Sequence, residues 1–203
     1  MKELVRMVLT LVVISATSAV GLAWVQDLTA ERIAEAVRQD TLKAIAAVLP
    51  AYDNAPDREA VTLGGQLYYP GRKGGELAGL ALPVRSGGGY GGNIDALLGL
   101  APDGTVTGVQ VLAHAETPGL GAKFAAREFL QQFVGKSLDT ARWKVQKDGG
   151  DFDQITGATI TPRALLQAIE GGLQAYRADR AKLLAAAAQA APAEPESAGE
   201  EKP

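Results

Sequence analysis

The sequence has 203 residues, of which 47% are apolar and 21% charged, so it is long enough for one domain with an ordinary hydrophobic core and additional segments. Its formal net charge is -3, and no basic cluster stands out that would neutralise a row of phosphates, which argues against a nucleic-acid partner. Because the chain has no cysteine and a single histidine, disulfides, cysteine-held metal or iron–sulfur centres and most catalytic triads are excluded.

The first predicted element is a transmembrane helix. Residues 7–25 carry no charge, and about 20 apolar residues are what a helix needs to cross the hydrocarbon core. Lys2 and Arg6 precede this stretch and Asp27 follows it, so the positive-inside rule predicts a cytoplasmic N-terminus and an extracytoplasmic remainder. A cleaved signal peptide is the alternative, but the apolar regions of signal peptides typically span only about 7–15 residues. We therefore expect residues 1–26 to form a cytoplasmic start and an uncleaved anchor.

A second helix is predicted over residues 28–49, within a juxtamembrane segment of residues 27–50. Apolar residues recur there at helical spacing, and Pro50 marks the end of the pattern. A stalk or a docking surface for a partner subunit is one interpretation. An amphipathic helix packed on its own domain is the more frequent case, and we favour it.

The middle of the chain predicts a sheet that is at least partly antiparallel. Residues 51–75 contain several prolines and glycines around a short apolar patch, which indicates irregular strands and turns. Strands are predicted over residues 77–84 and 94–100, and the glycine-rich loop between them must bend sharply or lie close to another group. The β-branched stretch 105–113 follows a Pro-Asp-Gly turn and predicts a hairpin with the preceding strand.

The C-terminal part of the chain predicts helices. Phenylalanines at helical spacing predict a helix over residues 122–133, and residues 143–145 are predicted as a further strand. Thr161 is an N-cap candidate followed by Pro162 at the first helical position. The helix that they open runs to about Tyr176.

Together these elements predict an α+β fold, in which a single N-terminal transmembrane helix precedes an extracytoplasmic domain with a largely antiparallel sheet packed by helices. That domain spans residues 51–183. In the last helix, Leu165, Ile169 and Leu173 share a face that should pack on the sheet. Residues 184–203 have too few large apolar groups to offset the entropy of ordering and are predicted to be a flexible tail.

Directly before the last helix lies the segment Asp153-Gln154-Ile155-Thr156-Gly157-Ala158-Thr159. Its final hydroxyl would stand beside a helix N-terminus, where unpaired amides and the helix dipole stabilise an anion such as a phosphate. The small residues Gly157 and Ala158 leave room for such a group. On these grounds alone, a plain turn before a capped helix is the more frequent case.

The segment resembles the flavinylation motif of FMN-binding domains, in which an aspartate is followed, after two residues, by Ser/Thr-Gly-Ala-Thr. That motif is found in the G subunit of the Rnf ion-translocating electron transport complex and in the C subunit of the sodium-translocating NADH:quinone oxidoreductase. The resemblance implies that a flavin transferase, with FAD as donor, joins FMN through its phosphate to Thr159. It also implies that Asp153, Thr156, Gly157 and Ala158 belong to the cofactor-binding site.

A second motif, the sequence HAETPGLG at residues 114–121, is similar to the His-x-Glu-Thr-Pro-Gly-Leu-Gly loop that lies close to the flavin in the same families. Its proline and glycine favour a type II turn, and its leucine can lie against an apolar ring face. We interpret His114 as structural and not catalytic. The glycine-rich loop before this motif also resembles the same families. By the resemblance, the further cofactor-binding residues are Glu116, Thr117, Gly119 and Leu120.

The resemblance covers the anchor and roughly residues 77–176, and the compact chain with its short anchor favours the Rnf family. It implies an electron-transfer component of a membrane-bound ion-translocating complex of the ferredoxin–NAD type, which relays electrons through covalent FMN on Thr159. The flavin ring would carry the redox chemistry, so no independent catalysis, no catalytic side chain and no metal are expected. Expected partners are the other subunits of the complex, a flavin transferase and the membrane. The expected location is the cell inner membrane, single-pass, with the FMN domain periplasmic.

Three alternatives stay open from the sequence. The first is a component like the C subunit of the sodium-translocating NADH:quinone oxidoreductase. The second is a membrane-tethered flavin sensor or scaffold module. The third is a lipid- or protein-docking domain in which residues 153–159 are only a turn, and it predicts a colourless purified protein.

Overall fold

Helix α1 is the first element of the computed structural model, which describes residues 1–189. The helix runs without interruption from Lys2 to Val48. The predicted anchor and the predicted second helix are therefore one element, because no proline interrupts the chain before Pro50. By length and composition the helix can cross a membrane, with a mean hydropathy of 2.1 in its apolar part. The chain divides by its internal contacts into two units, residues 1–42 and the residues from Lys43 onward.

Five antiparallel strands form one sheet in the second unit, ordered as they follow along the chain. The antiparallel pairing and the hairpin of the last two strands confirm the predicted fold class. The segment that we predicted to be irregular contains the first two strands. The second of these strands is irregular, because it has a bulge between Gly71 and Arg72. The strands are β1 (Val61–Leu63), β2 (Gln66–Lys73), β3 (Glu76–Ser86), β4 (Ile94–Leu100) and β5 (Val106–His114).

Short helical turns follow the sheet, where a single helix over residues 122–133 was predicted. They are a 3₁₀ turn (Gly121–Ala125), helix α2 (Arg127–Leu130) and a second 3₁₀ turn (Gln131–Phe133). The break lies at Ala126, whose ψ of 140° is extended. The phenylalanine spacing therefore reflects burial against the core more than one regular helix.

Residues 143–145 do not form the predicted strand. Val145 makes one isolated bridge with Phe152, because the chain turns back through a 3₁₀ turn at Gln146–Asp148. Trp143 and Phe152 instead pack together, with ring centroids 4.7 Å apart, and both contact Phe133. The aromatic and β-branched residues that suggested a strand are thus core residues of a loop.

Helix α3 (Ile160–Gln189) covers one face of the sheet. Leu165, Ile169, Leu173 and Tyr176 are buried, which confirms the predicted packing face. The helix continues beyond Tyr176 through an alanine-rich run, since alanine has the highest helix propensity. The first residues of the predicted tail belong to this helix, and residues 190–203 of that tail lie outside the described residues.

Two adjacent glycines of α3 are expected to respond in opposite directions to alanine. A Cβ on Gly172 would come within 2.6 Å of Val84 Cγ1 and 3.2 Å of Leu98 Cδ2, whereas a Cβ on Gly171 would meet no atom within 4 Å. Gly171→Ala should stabilise the protein by up to about 1 kcal/mol through helix propensity, and Gly172→Ala should destabilise it by about 1–3 kcal/mol through overpacking. Urea unfolding followed by the fluorescence of buried Trp143 measures both changes. A midpoint for Gly172→Ala at or above that of Gly171→Ala would contradict the close packing.

The last turn of helix α1 packs on the opposite face of the sheet from α3. Ala81 and Leu97 point to this face, while the neighbouring Leu82 and Leu98 point toward α3, because successive strand residues alternate between faces. A second, smaller core forms here. Its buried members are Ala44, Ile45, Val48, Leu49, Ala81 and Leu97.

A cross-strand pair of glycines receives the end of α1. Gly99 and Gly108 are register partners in β4 and β5, and a Cβ on either would collide with the backbone of Val48. The hydroxyl of Thr107 donates a hydrogen bond of 2.6 Å to the Val48 carbonyl. This bond satisfies one of the carbonyls that a helix C-terminus leaves without an intrahelical partner.

A second cross-strand glycine pair lies under Leu49. Gly71 and Gly79 are register partners in β2 and β3. A Cβ on Gly71 would come 2.7 Å from Leu49 Cδ1, and a Cβ on Gly79 would come 3.2 Å from Leu49 Cδ2. Val48 and Leu49, at the end of α1, therefore lie directly against the backbone of four of the five strands.

Candidate functional site

The segment before helix α3 places Thr159 at the helix N-terminus. The helix begins at Ile160, and the amide of Arg163 donates to the Thr159 carbonyl at 3.3 Å, so Thr159 occupies the N-cap position. Its side chain is half-buried. The first amides of a helix lack intrahelical partners, and the helix dipole adds a partial positive charge at this end. The Thr159 hydroxyl thus lies where a phosphate is electrostatically favoured.

Thr161 is not the N-cap residue that the sequence predicted. It is fully buried in the first turn of α3, where its hydroxyl donates to Glu116 Oε2 at 2.7 Å. The helix begins before Thr161 because this hydroxyl is bonded to a distant part of the chain and does not cap the helix. Pro162 still lies in the first turn, where its missing N–H removes no hydrogen bond.

Two glycine-bearing turns face each other next to Thr159. In residues 117–120, the Leu120 amide donates to the Thr117 carbonyl at 3.3 Å, and Gly119 has a φ of 74°. In residues 155–158, the Ala158 amide donates to the Ile155 carbonyl at 3.0 Å, and Gly157 has a φ of 82°. A positive φ at the third residue is the mark of a type II turn, which confirms the turn predicted from Pro118-Gly119.

A cleft of about 300 Å³ opens between these turns. It brings together six of the nine residues predicted for cofactor binding, from two motifs more than 30 positions apart in the sequence. Four further lining residues were not among those predicted: Tyr90, Gly121, Ile160 and Thr161. The glycine-rich loop carries Tyr90, so its resemblance was the available signal for that residue. The six predicted residues that line the cleft are Glu116, Thr117, Leu120, Gly157, Ala158 and Thr159.

The other three predicted residues do not line the cleft. Asp153 Oδ1 accepts a hydrogen bond of 2.8 Å from Gln146 Nε2, and its amide donates to Gln132 Oε1 at 2.7 Å. Thr156 and Gly119 occupy exposed positions of the two turns. Asp153 therefore fastens the start of the Thr159 segment to the preceding loop.

An ion pair fixes the first turn of α3 on its outer side. Arg163 donates two hydrogen bonds of 2.6 Å to the carboxylate of Asp148. This bonding lowers the pKa of Asp148 and raises that of Arg163. Since both side chains are substantially exposed, solvent screens the pair and its contribution to stability is small. Its effect is to hold the helix start against the 146–148 turn.

His114 contacts the two residues that flank the entry into the 116–121 loop and the turn after it. Its ring lies edge-on to Phe124 with centroids 5.1 Å apart. Its Nδ1 accepts a hydrogen bond of 3.2 Å from the Glu116 amide. His114 therefore shapes the entry into the 116–121 loop.

The chemistry of the cleft fits a phosphorylated planar ligand. The N-terminus of α3 offers amide donors for a phosphate, and the small residues Gly157 and Ala158 let such a group approach the backbone. Three exposed apolar side chains border the cleft: Tyr90 at 75%, Leu120 at 45% and Ile160 at 47% exposure. Such surfaces suit the faces of an aromatic ring system. Among residues 1–189, no group of three or more acidic or histidine side chains is placed to hold a metal ion.

Comparison with known proteins gives consistent results. Residues 89–174 match the family model of the FMN-binding domain, a range that includes both motifs. The G subunit of the ion-translocating oxidoreductase complex from Cereibacter sphaeroides is 42% identical over 183 residues, covering 84% of this chain and 83% of the relative. The G subunit from Pseudomonas aeruginosa is 41% identical over 183 residues, covering 82% of this chain and 86% of the relative.

A solved structure shares the fold. The crystal structure of Shewanella oneidensis NqrC superimposes with a TM-score of 0.51 at 24% sequence identity, covering 70% of this chain and 74% of that chain. At this identity the likeness concerns the fold alone. The antiparallel sheet with its helices is therefore the shared architecture.

Proposed function

This chain belongs to the family of the G subunits of ion-translocating oxidoreductase complexes, and from that membership we propose that it relays electrons within such a complex through FMN joined covalently to Thr159. The observation that carries the proposal is the position of Thr159. Its hydroxyl lies at the N-terminus of α3, on the wall of a cleft that the FMN-binding domain match includes. Bound FMN supplies the one- and two-electron chemistry that no side chain of the cleft provides.

Attachment requires a flavin transferase. The transfer exchanges one P–O bond for another, so it needs no oxidant or reductant. The Thr159 Oγ would form a bond to the phosphorus of the FMN half of FAD, the pyrophosphate P–O bond to the AMP half would break, AMP would leave, and the hydroxyl proton would be released. The unpaired amides at the start of α3 stabilise the phosphodiester that results. The tether keeps the flavin on an open cleft from which it could otherwise dissociate.

The resident side chains bind and orient the group. Leu120, Ile160 and Tyr90 would offer apolar contacts for the ring, and the two turns border the cleft beside Thr159, where the phosphate would be joined. Asp153 fastens the segment that carries Thr159, Thr156 lies in the turn of that segment, and Gly119 shapes the turn opposite it. No residue here needs to act as an acid or a base for electron transfer.

The remaining proposals concern placement and partners. Helix α1 anchors the chain in the membrane, and the charges flanking its apolar part support a cytoplasmic N-terminus and a periplasmic FMN domain. The partners are the other subunits of the complex. The Rnf type of complex would move electrons between ferredoxin and NAD while it moves ions. The NqrC likeness gives the C subunit of a quinone reductase as a second candidate, but it rests on the fold, whereas the identity to the G subunits extends along most of the chain.

Intact mass tests the proposal directly. The full chain is coexpressed with a flavin transferase, purified in detergent and denatured. We expect a mass gain equal to FMN less one water, and a band that fluoresces under ultraviolet light in a denaturing gel. A colourless chain of unmodified mass would overturn the proposal and favour a scaffold or docking domain.

A further inference from the structure

One buried carboxylate joins three separate segments around the cleft. Glu116 is only 5% exposed. Its Oε2 accepts the hydroxyl hydrogen of Thr161 at 2.7 Å, and its Oε1 accepts the amide hydrogen of Gly91 at 3.1 Å. The glycine-rich loop, the 116–121 loop and the first turn of α3 therefore meet at this side chain.

The backbone packs so closely around this carboxylate that side chains are excluded at three neighbouring positions. A Cβ on Gly89 would come 2.7 Å from Glu116 Oε1, and a Cβ on Gly121 would come 2.8 Å from Glu116 Oε2. A Cβ on Gly91 would collide with the carbonyl of Ala115. Three glycines thus let the chain close around the carboxylate.

Burying a carboxylate in this way carries a free-energy cost, which raises the question of what the carboxylate contributes. Removing a carboxylate from water is unfavourable, and here two hydrogen bonds offset part of that cost. An apolar side chain would fill the same space without the cost. What the carboxylate adds is direction, because each of its oxygens fixes the position of one donor.

The consequence reaches Thr159 through Thr161. Both residues belong to the start of α3, and Thr161 and Glu116 themselves line the cleft. Fixing the Thr161 hydroxyl fixes the helix start relative to the 117–120 turn, and that turn carries Leu120. This contact ties the tether position directly to the loop that carries the apolar wall of the cleft.

We propose that Glu116 is a positioning residue that holds the start of α3 against the 117–120 turn through Thr161, so that Thr159 is presented for FMN transfer and the attached flavin is held in one orientation. The inference rests on the proposed function. It differs from a role for Glu116 as a direct flavin ligand, because its effect passes through Thr161.

The test compares four variants of the full chain, each supplied with FAD and a flavin transferase. Thr161→Val removes the hydroxyl at nearly constant volume, and Thr161→Ser retains it. Glu116→Asp keeps the carboxylate but withdraws it by one methylene, so it reports on the contact even if Thr161→Val does not fold. Glu128→Asp makes the same chemical change at an exposed position of α2 and is the control.

Two quantities are measured: the initial rate of FMN transfer by intact mass, and the fluorescence anisotropy of the flavin in the modified fraction. Thr161→Val and Glu116→Asp should slow the transfer roughly tenfold and lower the anisotropy, as loss of a hydrogen bond to a charged group and of orientation predicts. Thr161→Ser should restore most of the rate and anisotropy that Thr161→Val loses, and Glu128→Asp, which lies outside the cleft, should match the wild type. The anisotropy of a tethered flavin reports its freedom of rotation, which a change in stability alone would not alter.

Wild-type rate and anisotropy in both Thr161→Val and Glu116→Asp would overturn the inference while leaving the tether intact. A wild-type chain that gains no FMN would overturn the proposed function instead. Wild-type values in Thr161→Val together with a loss in Thr161→Ser would show that the methyl group of Thr161, and not its bond to Glu116, sets the geometry, and would also overturn the inference.

Discussion

Thr159→Ala should abolish covalent flavin incorporation completely. The substitution removes the only atom that can form the phosphoester at this position, while the fold around it rests on buried residues that stay unchanged. Loss of an N-cap side chain costs about 1 kcal/mol, which a helix packed as extensively as α3 tolerates. The purified variant should therefore be folded, colourless after denaturation, and lighter than the modified wild type by FMN less one water plus the CH₂O by which threonine exceeds alanine. Intact mass and in-gel fluorescence measure this directly.

Two further variants define what the result means. Thr159→Ser keeps a hydroxyl at the N-cap and should still be modified, and Thr62→Ala alters an exposed threonine of β1 and should be modified like the wild type. Covalent FMN remaining on Thr159→Ala would place the tether on a different hydroxyl, and Thr156 in the adjacent turn would then be the first to examine. Loss of FMN from Thr62→Ala would point to a general defect in folding or expression.

A chain shortened to residues 51–189 should be far less stable than one shortened to residues 43–189. The shorter chain begins at the domain boundary predicted from the sequence and lacks Ile45, Val48 and Leu49, which are buried against the sheet. Burial of each such side chain contributes about 1.5–3 kcal/mol, so the three together amount to roughly 5–9 kcal/mol. The free energy of unfolding of an ordinary domain is about 5–15 kcal/mol. The shorter chain should therefore be largely unfolded or aggregated at 25 °C.

Urea unfolding followed by tryptophan fluorescence compares the stability of the two shortened chains. Both lack Trp24 and retain the buried Trp143, so the fluorescence change reports the same region in each. Far-ultraviolet circular dichroism checks that the longer chain is folded. Equal midpoints would mean that the last turn of α1 adds nothing to the domain and that the predicted boundary at residue 51 is adequate.

The sequence predicted the strands because their signals are local. In β3, β4 and β5, β-branched and other apolar residues are bounded by glycine and proline turns, and the observed strands agree with the predicted ones within a few residues. The segment 51–75 was harder, since its prolines and glycines suggest turns. Gly71 occurs within a strand because Leu49 packs directly on it. That contact is with a residue 22 positions away, so the local sequence does not show why a glycine is needed there.

The candidate site shows the same division between local and long-range information. The motifs identified the two loops and Thr159, but they could not show where α3 begins. That start depends on a hydrogen bond between residues 45 positions apart, Thr161 and Glu116. Capping preferences alone favoured Thr161, because a threonine before a proline is a common helix start. Tertiary contact overrode the local preference.

The seating of Val48 and Leu49 on two glycine pairs also has a mechanical consequence. A tension transmitted along helix α1 would enter the sheet at β2 and β3 through Leu49 and at β4 and β5 through Val48. The load would be shared by four strands and would not fall on one edge strand alone.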